Sequence, residues 1–338
     1  MKKYLMMTLC LWLVACQSDS DVCTDTLDLS KINVEVKITR LEQEIFRLKT
    51  KAEINAFLDK YPDFAEKFML RNRLPHDSIA ADQIYTMITE PHQDTLYQDV
   101  QKKFADLTSL KKEFEDAFTH IKYYYPLFKV PKIYTVMTGQ GSFFGTDLFV
   151  SDAFIVISLD FFIGKDNRYR PPIEMMPDYI WRRYHPAAIV PSCVQYLSNA
   201  YNKTDITDKT ALAEMVYHGK TYQFMRQIMP CLPDSILTGY TSLEINSLSD
   251  AKNRDFIWNH LIEQQVLFNT NQRTISKYLE ERPSTPEIHA KTPGRIGRWL
   301  GWRIVQKYMQ KKPEITLQNL MDNPNAREIF NQSGYKGN

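Results

Sequence analysis

The chain has 338 residues, 43% of them hydrophobic and 24% charged, and its mean hydropathy is −0.40. These values describe a globular body and exclude a polytopic membrane protein. The formal net charge is only +2, and Lys2 and Lys3 account for it, so the neutral body behind them gives no support for nucleic-acid binding.

Met1-Lys2-Lys3 precedes a mostly apolar run from Tyr4 to Val14 and then Ala15-Cys16, which is the order of a secretory signal peptide. The run is shorter than the roughly 20 residues that span a bilayer. Leu13-Val14-Ala15-Cys16 fits a lipobox, so residues 1–15 are expected to be removed and Cys16 to carry lipid. Each buried lipid methylene contributes about 0.8 kcal/mol, and more than one chain anchors stably. A buried N-terminal helix is the competing account, and it needs the cationic start, apolar middle and small-Cys ending to coincide by chance. Residues 16–30 begin Gln17-Ser18-Asp19-Ser20-Asp21 and read as a lipidated flexible tether, with residues 31–338 as a single globular domain. Gln17, where Asp would signal retention, favours the outer membrane over the inner.

Outside the signal peptide and lipid site, three cysteines remain: Cys23, Cys193 and Cys231. An oxidising envelope permits a disulfide, and Cys193 with Cys231 is the pairing that avoids the tether. Two separately buried thiols are the alternative, and neither arrangement has metal-knuckle spacing.

Asn33 to Ile38 alternates apolar and charged residues, which predicts a half-buried strand. From Leu41 to about Thr119 the periodicity is helical. Residues 132–163 hold β-rich runs separated by Gly139, Gly141, Gly145 and Ser151-Asp152, predicting a small sheet or meander. A proline-rich, basic and aromatic loop follows at 165–186. Helical patterning then continues almost to Gln310, broken by Pro230, Pro233 and the loop at 282–287. The fold class is α+β, mostly α-helical with a small central β-sheet.

Gly139 to Gly145 follows a strand but precedes another strand, whereas a phosphate loop needs a helix N-terminus there; hairpin turns are expected instead. No two of the seven histidines stand at i, i+4, and H-E-x-x-H is absent, so no metal ligands are assigned and a zinc hydrolase of the usual kind is disfavoured. In the run 291–305, Ile296, Leu300, Ile304 and Tyr308 form one stripe, and Gly297 and Gly301 share a face that permits close approach. Arg295, Arg298 and Arg303, with Trp299 and Trp302, could face a lipid headgroup, an anionic ligand or a partner. The plainer account is a packed helix with arginines at its rim. Gly219, inside the helical stretch around Glu214 and His218, costs about 1 kcal/mol relative to Ala and suggests a tight crossing or a cleft.

The runs LDFFIGKDNRY (159–169), PAAIVPSCVQYL (186–197), MVYHGKTYQFM (215–225), IWNHLIEQQVLF (257–268) and TPGRIGRWLGWRIVQKYM (292–309) resemble the gliding-motility lipoprotein GldB family of Bacteroidetes. The resemblance covers most of the mature chain and implies a degenerate zincin-like metallopeptidase fold. In active relatives one helix carries H-E-x-x-H. Here Pro186 and Ile189 stand where His185 would need Glu and His after it, and Pro191 to Gln195 fails at both metal positions. The resemblance therefore implies a vestigial cleft around His185, Glu214, His218 and Lys220, with no catalytic residue and no cofactor. It further implies a membrane-anchored envelope protein whose partners belong to the gliding or type IX secretion apparatus. A hydrolase with His185, Glu214 and His218 regrouped around a metal is the alternative. Asp25-Thr26-Leu27, Asp77-Ser78-Ile79, Asp94-Thr95-Leu96 and Asp234-Ser235-Ile236 fit the short O-glycosylation pattern of that phylum.

Overall fold

The computed structural model of the protein describes residues 25, 27–76 and 78–337. The expected signal peptide, the lipid site Cys16 and Cys23 lie outside the described residues, as do Thr26 and Asp77 of two glycosylation patterns.

Strand β1 (Ile38–Arg40) leads directly into α1 (Leu41–Ile45). The alternation from Asn33 is present in the burial pattern, yet the ladder begins only at Ile38. The reason is local: the Val36 N–H donates to the Glu115 carboxylate (3.1 Å) rather than to a neighbouring strand. Helices α2 (Lys51–Lys60), α3 (Ser78–Thr89), α4 (Pro91–Lys103) and α5 (Thr108–Tyr124) follow, with a π-helical turn at Phe64–Phe68. A capping box between Thr50 and Glu53 starts α2, and Pro91 opens α4, where its missing N–H would be unpaired anyway.

β2 (Lys132–Val136), β3 (Leu148–Val150) and β4 (Phe154–Ser158) complete a sheet of order β1-β2-β4-β3, with β3 the antiparallel member. Side chains alternate between two apolar layers. Ile133, Ile155 and Ile157 enter the larger cluster, while Tyr134, Val136, Phe154 and Val156 meet Phe57, Phe64 and Ile84 on the other face. With both faces covered, β4 is apolar at four successive positions, as in parallel strands generally.

The expected small sheet is present, but its order is not that of a meander. β2 and β3 lie on opposite sides of β4, so the glycine-bearing connection between them is a crossover, and the hairpin turn falls at Ser151 to Phe154. Gly139, Gly141 and Gly145 all take positive φ, as does Gln140. The first part of this turn is held by Asp160, a fully buried carboxylate that accepts the N–H of Gln140 (2.5 Å) and of Thr138 (3.3 Å), and Gly145 packs so closely on the Phe68 ring that a Cβ would clash with it. The turn's donors are thus occupied by a side chain of the same chain. Burial pushes the Asp160 carboxyl up to about 6, against the lowering effect of these backbone bonds.

The remainder is helical: α6 (Asp178–Trp181), α7 (Ile189–Ser198), α8 (Ala211–Ile228), α9 (Asp234–Thr238), α10 (Ser242–Ser249), α11 (Ala251–Glu263), α12 (Gln272–Leu279), α13 (Ile296–Lys311), α14 (Leu317–Asp322) and α15 (Ala326–Ser333). The last two extend beyond the expected end near Gln310, and Thr316 and Asn325 cap them.

The central contact is the crossing of α8 and α13. A Cβ on Gly301 would lie 1.7 Å from the Met215 carbonyl oxygen, and one on Gly219 would lie 2.3 Å from Gly301 backbone. The helices therefore meet backbone to backbone, which accounts for Gly219 inside a helix. Gly297 instead admits Leu279 of α12. The stripe Ile296, Leu300, Ile304 and Tyr308 is buried, and so are Trp299 and Trp302 on other faces of α13. The Trp302 indole N–H donates to the Gln223 side-chain oxygen (3.2 Å).

Lys220 also proves structural in its contacts. Its ammonium donates to the carbonyls of Lys203 (2.7 Å), Asn323 (2.8 Å) and Met321 (3.0 Å), fastening α8 to the segment around α14. Burial lowers its pKa to about 8, so the charged form with three donors persists at neutral pH.

The Cys193–Cys231 pairing is excluded. Cys193 is a free thiol buried in α7, its pKa raised by burial, whereas Cys231 is disulfide-bonded.

Candidate functional site

Next to the crossing lies a cavity of roughly 730 Å³, lined by the segment before α7, the turn between α9 and α10, and the N-terminal end of α13. Its polar centre is Glu281. Arg183 grips both carboxylate oxygens (3.0 and 2.9 Å), the Arg295 Nε lies 3.3 Å away and the Arg298 Nη1 3.7 Å away. Partial burial pushes the Glu281 carboxyl upward, but the Arg183 bond and the three guanidinium charges hold it below the ordinary value.

The backbone that delivers these arginines is tightly specified. Thr285 donates its N–H to the Thr292 carbonyl and its hydroxyl to the Pro293 carbonyl, closing the 282–293 loop. Gly294 passes so near Arg282 that a Cβ would sit 2.0 Å from its carbonyl oxygen, and the Tyr240 hydroxyl donates to the Gly294 carbonyl (2.7 Å). Arg295 then adopts a left-handed conformation (φ 60°) as the N-cap of α13. Such a conformation costs a non-glycine residue about 1–3 kcal/mol and is found where the surroundings enforce it. The Arg295 guanidinium lies over the Tyr240 ring at 5.3 Å. Arg298 is steered by an Nε bond to the Leu279 carbonyl (2.6 Å). Gly239 has positive φ, and a Cβ there would strike Arg183.

His218 senses this cluster. Burial first, then the charges of Arg298 and Arg295, lower its pKa to about 3, so it is neutral at physiological pH. His185 lines the same cavity, and burial lowers its pKa too. Glu214 does not join them. It accepts from the Gln272 amide (3.1 Å) and lines a separate cavity of roughly 310 Å³ together with Lys220. The four residues expected to share a cleft are therefore divided. Among the described residues, no group of three or more His, Cys, Asp or Glu side chains could hold a metal ion.

The expected lipid- or partner-facing set is divided as well. Trp299 is 5% exposed and Trp302 1%, so neither indole is available to a headgroup. Arg295 and Arg298 turn to Glu281, while Arg303 lies over the Trp299 ring at 5.8 Å and donates to Gln306. Sequence reasoning missed Glu281, Arg183 and Tyr240, which come from three separate segments; the density of arginine at 182–183 was the available signal. Among the described residues no helix is long and apolar enough to cross a membrane.

Fold and site together define a mostly helical α+β protein with an arginine-lined cleft. The chain belongs to the GldB family, since the family model described as gliding motility protein GldB matches residues 23–337. It is thus a gliding-motility-related protein. No curated protein and no solved structure matches it.

Proposed function

We propose that this protein is a noncatalytic envelope lipoprotein supporting the gliding-motility and type IX secretion machinery, held by lipid on Cys16, with the outer membrane as its site. The family match supports the motility part. The observation that carries the noncatalytic part is the separation of the candidate ligands: Glu214 lines a different cavity from His185, and the charges of Arg298 and Arg295 act on His218, which disfavours a cation beside it. A catalytic zinc takes about three protein ligands. Gathering His185, Glu214 and His218 would require Glu214 to leave Gln272 and its own cavity. The zincin-like ancestry is part of the same proposal, supported only by the family resemblance: His185 caps the short turn before α7 and lines the cleft, and His218 lies on α8 within reach of the charges of Arg295 and Arg298. On this reading the cleft is a binding groove and the partners are proteins of the motility apparatus. The test is replacement of the native chain in its host by a variant with His185, Glu214 and His218 all changed to Ala. Normal colony spreading and secretion are expected, with Cys16→Ala failing in both. Loss of function in a stably expressed triple variant would favour the hydrolase.

A further inference from the structure

The positive charge around Glu281 is larger than this carboxylate neutralises. Three guanidiniums meet one carboxylate, which leaves two positive charges in surplus. Because Arg183 occupies both carboxylate oxygens, the surplus rests on Arg295 and Arg298. Arg295 is 5% exposed, and among the described residues its Nε has no hydrogen-bond partner. Burying such a charge is expensive unless hydrogen-bonded anions complete it.

Of the other charged groups at the cavity, Arg182 and Glu244 neutralise each other, while Asp147 adds a carboxylate that its hydroxyl donor leaves uncompensated. The surplus is therefore local to Arg295 and Arg298, and the lining as a whole, with Glu244 counted, carries one positive charge. Arg182 is paired with Glu244 through both oxygens (2.8 and 3.1 Å), and Asp147 accepts the Tyr184 hydroxyl (2.7 Å). Apolar surface from Phe162, Ile180, Tyr222 and Met225 lines the remainder. We propose that the cleft binds a small ligand of the phosphomonoester class, its dianionic head on Arg295 and Arg298 and an apolar body against Phe162, Tyr222 and Met225. Guanidinium forks match the oxygen geometry of phosphate, and a phosphomonoester carries about −1.5 to −2 charges at pH 7, which suits the local pair Arg295 and Arg298. The proposal rests on the cleft being a binding groove and is independent of the role in motility.

The test is isothermal titration of the full-length lipidated protein in a neutral detergent with phenyl phosphate, inorganic phosphate and benzoate. Saturable binding of phenyl phosphate is expected, about tenfold tighter than either of the others. Arg298→Gln should weaken it by about tenfold or more, and Arg303→Gln, which lies outside the cluster, should leave it unchanged. Glu281→Gln removes the competing carboxylate and should tighten binding severalfold, a gain that misfolding cannot produce. Absence of saturable binding at millimolar phenyl phosphate, or binding that is the same in Arg298→Gln and Glu281→Gln as in the parent, would overturn the proposal. Neither result touches the colony-spreading test, so the two readings fail separately.

Discussion

At Gly301 and Trp302, α13 meets α8 without side chains between the backbones and buries an indole whose N–H is paired. Within two helical turns of that contact, Arg295 and Arg298 crowd one carboxylate, and Arg295 leaves its Nε unbonded. The first region has a partner for every group and no room for change. The second keeps charge and volume beyond its own needs, in a strained N-cap. One helix thus divides its labour: its middle holds the body together, and its N-terminal end is free to serve a ligand.

Mutations should separate these regions by size and kind of effect. Trp302→Ala should destabilise most, by about 3–5 kcal/mol, seen as a lower urea midpoint. Gly301→Ala should cost about 3 kcal/mol, because the Met215 carbonyl cannot yield without moving α8. If either change left the midpoint intact, the crossing would not be the principal support.

The cleft should show itself through pH. His218 is neutral in the folded state down to about 3 and titrates near 6.5 when unfolded. Its folded pKa is depressed, so its effect on stability is absent above pH 6.5 and grows as the pH falls toward 3. The loss should reach about 2 kcal/mol by pH 5, and His218→Gln should flatten that limb. Comparing the two proteins cancels the opposite contribution of Asp160, whose carboxyl is raised to about 6. Arg303→Ala, at the rim, should change stability by less than about 0.5 kcal/mol; a larger loss would extend the packed region outward.

The packed region was the legible one. Ile296, Leu300, Ile304 and Tyr308 announce a helix face by spacing, Gly219 and Gly301 announce close approach by lacking a side chain, and β2, β3 and β4 announce themselves by β-rich runs between glycines. Strand order was illegible because the turn that begins the crossover from β2 to β3 is held by Asp160, which captures the Gln140 and Thr138 amides from 20 residues away or more. The cleft was half legible. Arg295 and Arg298 stood out as charge in an apolar helix, but the carboxylate they meet, Glu281, lies at the edge of an irregular loop with no local pattern. Spacing could not show that Trp299 and Trp302 point inward, since α13 is buried on nearly every face. Cys231 illustrates the same limit, because avoiding the tether was no guide to its bonding.

The most direct test of the noncatalytic reading is the metal content of the purified full-length protein, measured by elemental analysis against protein concentration. Substoichiometric zinc, unchanged in His218→Ala, is the predicted result. One zinc per chain, lost on His218→Ala, would contradict it.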